Sequence, residues 1–213
     1  MSKVCLQFGC GLSTHPNWLN YDRSPRLFFE NSLVFPLLSF CGLKRLFPKD
    51  AKYGDIVKGL PISKGSIDLI YSSHVLEHMS QQDAMIALRN CFELLKPGGK
   101  LKIVVPDLFC RVEKYYNDAG HSEAADGFLI DTLLGTEVYD RSFRGLVSRA
   151  LGSSEHLWMY DVASLTQKLQ AVGFTSVARS GYLNSGDPEF EQVEEESRFF
   201  DGEYQELSLE AVK

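Results

Sequence analysis

VCLQFGCG, from Val4 to Gly11, is the stretch that decides the fold, because an apolar run ends there in two glycines. Such a run predicts a buried strand, and the glycines predict a tight turn where backbone can approach a ligand closely. A second apolar segment, WLNYD, ends at Asp22, eleven residues after Gly11. In an open parallel sheet, ligands bind beyond the carboxyl ends of the strands, where a carboxylate can accept both hydroxyls of a ribose. The segment from Val4 to Asp22 therefore predicts half of a nucleoside-binding site. In the alternative interpretation, its glycines serve only the packing of a strand against a helix.

Composition and charge restrict the class of protein. The chain has 213 residues, 44% of them hydrophobic and 23% charged, which predicts a single globular domain over residues 1–213. Its net charge of −6 disfavours nucleic acid as a partner. Five cysteines, an odd number without a CxxC pair, indicate reduced thiols and a cytoplasmic location. The N-terminus lacks the pattern of a signal peptide, and charged residues interrupt the long apolar region 27–47, so no membrane span is expected.

Strand-like and helix-like patterns alternate along the first half of the chain, which is typical of a parallel sheet with helices on its faces. Residues 66–79 begin with a continuous β-prone run, residues 80–95 have helical spacing, and KPGGK at 96–100 marks the end of that helix. A further strand, LKIVVPDL, leads into Asp107. Residues 108–160 contain no clear strand and predict a helical insertion that covers the ligand site, with helical pieces near 108–117, 124–134 and 141–151. A helix over 161–172, a connecting acidic loop over 187–206 and a last strand over 206–213 complete the prediction.

Four segments in this order carry a resemblance to a known family: FGCG at Phe8, the carboxylate of Asp22, GDI with SSHVLEH, and LLKPGGKLKIVVPD. Together they resemble class I S-adenosylmethionine-dependent methyltransferases of the small type 11 kind, clearly over residues 3–107 and more weakly over 156–174. The resemblance implies a Rossmann-like α/β fold: a seven-stranded sheet, mostly parallel with an antiparallel last strand, helices on both faces, and the helical insertion after the fifth strand.

The resemblance also implies a cofactor site for S-adenosylmethionine. Gly9 and Gly11 would lie against the methionine part, Asp22 on the ribose and Asp55 near the adenine amino group. The other residues that it assigns to this site are Phe8, Cys10, Ile56 and Ser73. One departure is that GCGLS lacks the third small residue of GxGxG. The chain also lacks the GxGxxG and the acid about 20 residues later that a nicotinamide-dependent oxidoreductase would need.

HVLEH, from His74 to His78, contains residue types that bind metal ions in other proteins. It matches the HxxEH motif of inverted zinc peptidases, but His74 ends a predicted strand and does not lie in a long helix. Ubiquinone-pathway O-methyltransferases, which the chain resembles only at the family level, bind a divalent cation through ExxEH at the equivalent place. Here His74 replaces the first glutamate. We therefore predict no metal, with Glu77 as an acid at a helix N-terminus and His78 as a structural histidine.

Methyl transfer from a sulfonium needs alignment of two reactants and removal of a proton from the nucleophile. The first candidate for the general base is His74, because it follows the strand expected to end beside the cofactor's methyl group; Asp107, after another predicted strand, and His156, from the insertion, are the other candidates. The predicted activity is methyl transfer to a small-molecule or saccharide acceptor, at oxygen in preference to nitrogen or carbon. A non-catalytic S-adenosylmethionine-binding sensor or partner subunit is the alternative.

Overall fold

A seven-stranded sheet lies at the centre of the computed structural model, which describes residues 2–33, 35–40, 42–135 and 155–213. Its strands are β1 (Cys5–Phe8), β2 (Trp18–Asp22), β3 (Ala51–Tyr53), β4 (Ile67–Ser73), β5 (Leu95–Val105), β6 (Ser176–Arg179) and β9 (Leu207–Val212). Two short strands, β7 (Phe200–Asp201) and β8 (Tyr204–Gln205), form a separate hairpin.

The strand order is β3-β2-β1-β4-β5-β9-β6, and the predicted seven-stranded, mostly parallel sheet with an antiparallel last strand is confirmed. Strands β1 to β5 pair in parallel, whereas β9 is antiparallel to both β5 and β6. The chain order reverses at β1, whose neighbours are β2 and β4. Loops leave these strands in opposite directions there, so a crevice opens beyond their carboxyl ends.

The helices are α1 (Pro25–Glu30), α2 (Phe35–Phe40), α3 (Gln81–Leu94), α4 (Leu108–Asn117), α5 (Ala124–Asp131) and α6 (Val162–Val172). Ser80 caps α3 by accepting the N–H of Asp83, as its position before the helical pattern suggests. Asp161 forms a capping box with Ser164, and Gly173 ends α6 at φ 123°. Helix α3 ends at Leu94, just before KPGGK, as predicted, but β5 begins at Leu95 and runs through this stretch, earlier than the predicted start at Leu101.

Different parts of the chain pack on the two faces of the sheet. Its first face carries side chains such as Leu6 and Ile70, which pack with α3 and α6 in the largest core cluster. The opposite face carries the alternate residues, Cys5 and Leu69, which pack against Phe190 and Phe199 from the acidic segment 187–206. Three short 3-10 turns complete the described elements, at Leu76–His78, Pro188–Gln192 and Glu196–Arg198. The segment predicted as a connecting loop therefore covers part of the sheet.

A buried ion pair attaches this acidic segment to the sheet. The ammonium of Lys102, on β5, bonds to the Glu194 carboxylate, and both side chains are fully buried. Lys102 also donates to the Ser185 hydroxyl at 2.7 Å and to the Gly181 carbonyl at 2.9 Å. Because the ammonium has three acceptors, its burial leaves no donor unpaired.

Helices α4 and α5 follow β5, where the helical insertion is expected. They pack against each other, and α4 also contacts β8. The third predicted helical piece, 141–151, lies outside the described residues. None of the helices that the structure describes is long and apolar enough to span a membrane.

Candidate functional site

The crevice at the carboxyl ends of β1, β2 and β4 holds a cavity of about 420 Å³, which we call the first cavity. Seven of the eight predicted cofactor residues line it, namely Phe8, Gly9, Gly11, Asp22, Asp55, Ile56 and Ser73. The residues that the family resemblance implies for the cofactor site therefore meet at this cavity, with the exception of Cys10.

The glycine turn forms the floor of the first cavity. Gly9 and Gly11 have φ values of 68° and 55°, in the left-handed region that favours glycine. A Cβ on Gly9 would lie 2.1 Å from Cγ2 of Val75, whereas one on Gly11 would meet no atom within 4 Å. The missing Cβ atoms let the chain turn back and bring its backbone to the cavity wall.

Cys10 is the predicted cofactor residue that does not line the first cavity. Its side chain is buried on the other side of the turn, with Leu27, Phe47 and Ala51. Burial raises the pKa of the Cys10 thiol to about 12, so the group is a packing residue with little thiolate character. The side chain turns away because its two glycine neighbours bend the backbone around it.

Asp22 holds the turn in place while it lines the cavity. Its Oδ2 accepts the N–H of Gly11 at 2.8 Å, and its Oδ1 accepts the N–H of Ser24 at 2.7 Å. Each carboxylate oxygen has a second lone pair, so Asp22 retains acceptor capacity for two ligand hydroxyls. Asp55 is similarly placed after β3, where its Oδ1 accepts the N–H of Val57 at 3.0 Å. The glycine cradle and the two carboxylates fit the methionine, ribose and adenine parts of S-adenosylmethionine in the predicted order.

The sequence did not predict Arg198 as a wall of the first cavity. This residue ends a 3-10 turn within the acidic segment, far along the chain from the other lining residues. Its backbone carbonyl lies 2.9 Å from Nε2 of His74. No local pattern marks the residue, because its place depends on how the acidic segment packs against the sheet.

His74 follows β4 with a backbone φ of 53°, which is uncommon for a residue other than glycine. Its Nε2 donates to the Arg198 carbonyl, and its Nδ1 lies 3.2 Å from the Glu77 carboxylate. Burial lowers the pKa of His74, but the Glu77 carboxylate and the Arg198 carbonyl raise it by more, so the pKa lies above its ordinary value. Both ring nitrogens therefore already have partners.

A second cavity, of about 310 Å³, lies on the other side of His74 and Arg198, which line both cavities. Arg111 forms part of its wall and makes two hydrogen bonds to the Glu206 carboxylate, at 2.9 and 3.0 Å. Its other lining residues include Ile130, Asp131, Leu133, His156 and Asp201. This second cavity is thus polar, with three carboxylates and two arginines, and it borders the place where the cofactor site ends.

His156 brings a further histidine to this region. Its Nδ1 is buried and has no hydrogen-bond partner among the described residues. Burial lowers the pKa of His156 below its ordinary value; Glu77 opposes this shift and His78 adds to it. The rings of His78 and His156 lie 5.0 Å apart between centroids. The segment that follows α5 therefore returns to the turn that contains Glu77 and His78.

Asp107 lines neither cavity in the described part of the chain. Its Oδ1 caps α4 by accepting the N–H of Phe109 at 2.9 Å, and its Oδ2 lies 3.4 Å from a guanidinium nitrogen of Arg179. Burial raises the pKa of Asp107 despite these two contacts. Of the three predicted bases, His74 and His156 reach the second cavity, whereas Asp107 ends a helix.

Comparison with known proteins agrees with this geometry. A family model described as a methyltransferase domain matches residues 3–179. Among solved structures, the chain is similar to an S-adenosylmethionine-dependent methyltransferase from Archaeoglobus fulgidus, with 16% identity, coverage of 99% of this chain and 86% of the other, and a TM-score of 0.53. A second such enzyme, from Mesorhizobium loti, has 17% identity, 99% and 91% coverage, and a TM-score of 0.50. No curated protein matches the chain.

Proposed function

The chain belongs to the methyltransferase-domain family, as a class I S-adenosylmethionine-dependent enzyme, and from this premise we propose that it methylates a hydroxyl oxygen of a neutral small-molecule or saccharide acceptor. The observation that carries this proposal is the pair of adjoining cavities with His74 and Arg198 between them. S-adenosylmethionine in the first cavity supplies the methyl group as a sulfonium. An acceptor in the second cavity would reach it past the His74 ring.

The lining of the second cavity favours a neutral polyhydroxylated acceptor. Beside the Arg111–Glu206 pair, the cavity is lined by the carboxylates of Asp131 and Asp201, which would disfavour a phosphorylated or carboxylated molecule. Carboxylate oxygens accept hydrogen bonds from sugar hydroxyls. Arg111 is already paired with Glu206, so it is not free to bind an anion. Residues Ile130 and Asp131 belong to α5, which supports the proposed covering role of the insertion 108–160.

The acceptor hydroxyl must lose its proton as the methyl group arrives, because an alcohol does not ionise near neutral pH. We place this step at the cluster of Glu77, His78 and His156. His156 has a free ring lone pair, whereas the nitrogens of His74 are both in contact with other groups. His74 then becomes a positioning residue between the two cavities. The O–C bond forms as the C–S bond breaks, and the sulfur leaves as a neutral thioether.

A turnover assay tests this proposal. The chain is incubated with methyl-labelled S-adenosylmethionine and matched panels of neutral glycosides, sugar phosphates and amines, and labelled products are identified. We expect label on oxygen of the neutral acceptors. His156→Asn should lower turnover about 100-fold or more, the scale of general base catalysis. It should leave S-adenosylhomocysteine binding unchanged, because His156 does not line the first cavity.

His121→Asn is the matched control, since this histidine is exposed on the loop between α4 and α5. Label on amines would contradict the oxygen assignment. Cofactor binding without turnover on any panel would favour the alternative, a non-catalytic sensor or partner subunit. We also propose a cytoplasmic location, supported by Cys5, Cys10, Cys91 and Cys110, which are all free thiols.

A further inference from the structure

Two buried polar groups without a hydrogen bond lie near each other: the Glu77 carboxylate, which has an ion-pair contact with His74, and Nδ1 of His156. Glu77 is fully buried, and neither of its carboxylate oxygens has a hydrogen-bond partner among the described residues. Its Oε1 approaches His74 Nδ1 at 3.2 Å without hydrogen-bond geometry. Nδ1 of His156 is likewise buried and without a hydrogen bond. Burying polar groups without hydrogen bonds is costly, so we expect a bound ligand to complete the contacts of these two groups.

The two groups belong to a cluster with the composition of a metal site. One ligand atom from each of Glu77, His78 and His156 can be chosen so that all three lie within 4.8 Å of one another. Around a tetrahedral zinc ion with bonds of about 2.0 to 2.1 Å, ligand atoms would lie about 3.4 Å apart. Modest side-chain rotations would close this difference.

His78 is held in a tautomer that suits metal binding. Nδ1 of His78 lies 3.1 Å from the Glu155 carbonyl, which can only accept, so this nitrogen carries the proton and Nε2 keeps its lone pair. Metal-binding histidines characteristically donate their second ring N–H to a carbonyl or carboxylate in this way. Nδ1 of His156 has no hydrogen-bond partner among the described residues, so it is open to a ligand.

Backbone hydrogen bonds hold the cluster together. The Glu77 carbonyl accepts the N–H groups of Leu157 at 2.7 Å and Trp158 at 3.1 Å. The N–H of His156 donates to the Leu133 carbonyl at 3.2 Å. These bonds attach the segment that carries His156 both to the turn that carries Glu77 and His78 and to the end of the insertion. The three side chains are therefore preorganised before any ligand arrives.

We propose that Glu77, His78 and His156 bind one divalent transition-metal cation of the zinc type, with an open coordination position toward the second cavity. Two imidazoles select such a cation over magnesium or calcium, which prefer all-oxygen ligands. In its catalytic role the inference rests on the proposed function and changes how the cluster would act: the cation would make a hydroxyl at the open position more acidic, and because His156 would then be a ligand and not the base, the proton would leave to solvent. This replaces our expectation from the sequence that no metal is bound.

The binding experiment uses the untagged full chain, stripped with a chelator, and needs no acceptor. Co²⁺ is added as the probe, because its visible absorption reports imidazole and carboxylate ligation, and the shift in melting temperature is measured with Zn²⁺ and with Mg²⁺. We expect one equivalent of Co²⁺, stabilisation by Zn²⁺ and none by Mg²⁺. Glu77→Gln and His156→Asn should each weaken Co²⁺ binding about 100-fold or more, because loss of an outer-shell partner alone costs 10- to 100-fold.

His121→Asn is again the control and should bind Co²⁺ as the parent chain does. Circular dichroism and S-adenosylhomocysteine binding check that each variant is folded, and His156→Asn carries the test if Glu77→Gln does not fold. Absence of Co²⁺ binding by the parent chain, or equal binding by His156→Asn, overturns the metal site but leaves the methyl-transfer proposal intact. Stoichiometric binding at the cluster without turnover supports the metal site and contradicts the proposed function.

Discussion

Replacement of Asp22 tests whether one carboxylate both shapes the glycine turn and binds the ribose. Asp22→Ala leaves two backbone N–H groups, of Gly11 and Ser24, without the acceptors that they have at 2.8 and 2.7 Å. A hydrogen bond to a charged group contributes about 1.5 to 3 kcal/mol. Asp22 is only half-buried, so water restores part of each bond. We expect the free energy of unfolding to fall by about 2 to 3 kcal/mol in total.

The cofactor should lose affinity as well. Loss of the ribose acceptor should cost about 1 to 3 kcal/mol, which corresponds to roughly 5- to 150-fold weaker binding. Asp22→Asn, which keeps one acceptor oxygen, should have an intermediate effect on both stability and affinity. Titration calorimetry with S-adenosylhomocysteine measures the affinity, and urea unfolding measures the stability. Asp118→Ala is the control, because this aspartate is exposed on a helix end remote from the first cavity.

A coupling experiment separates direct ribose contact from damage to the turn. If Asp22 accepts a ribose hydroxyl, the 2′-deoxy or the 3′-deoxy analogue of S-adenosylhomocysteine should lose little further affinity in Asp22→Ala, because the contact is already absent. If both analogues lose as much affinity in the variant as in the parent chain, the carboxylate acts only on the turn. Unchanged cofactor affinity in Asp22→Ala would remove the residue from the site altogether.

Two further predictions concern the turn and the buried ion pair. Gly9→Ala should weaken S-adenosylhomocysteine binding at least tenfold and lower the melting temperature, because the new Cβ would lie 2.1 Å from Val75 at a φ of 68°. At Gly11 a Cβ would meet no atom within 4 Å, so Gly11→Ala should show only the smaller effect of backbone strain. Titration calorimetry compares the two variants. Lys102→Met should cost about 3 to 5 kcal/mol in urea unfolding, because Glu194 stays buried without its cation. Adding Glu194→Leu should recover most of this loss, and a double variant as unstable as the sum of the two single ones would contradict that account.

Local patterns were enough for much of the fold and for the glycine turn with Asp22, whereas the other cofactor residues were implied by the family resemblance. The apolar run before Gly9, the carboxylate at Asp22 and the caps at Ser80 and Asp161 all act through neighbours within a few residues. Their effects could be predicted because strand, turn and capping preferences depend on short stretches of backbone. Cys10 was assigned to the cofactor site by its position between two glycines, yet its side chain faces the core behind the turn.

The sequence by itself determined the alternation of strands and helices, the glycine turn and the carboxylates at the strand ends, since each depends on the pattern of residues beside it. Only the tertiary structure decided that Arg198 closes the first cavity, that Glu194 is buried against Lys102, and that His156 reaches Glu77. These contacts join residues 79 or more positions apart, and they form because the acidic segment and Tyr160, at the end of the insertion, pack into the core clusters on the sheet. Hydrophobic burial has no direction of its own, so the meeting of particular polar groups follows from packing of the whole chain and not from any local motif.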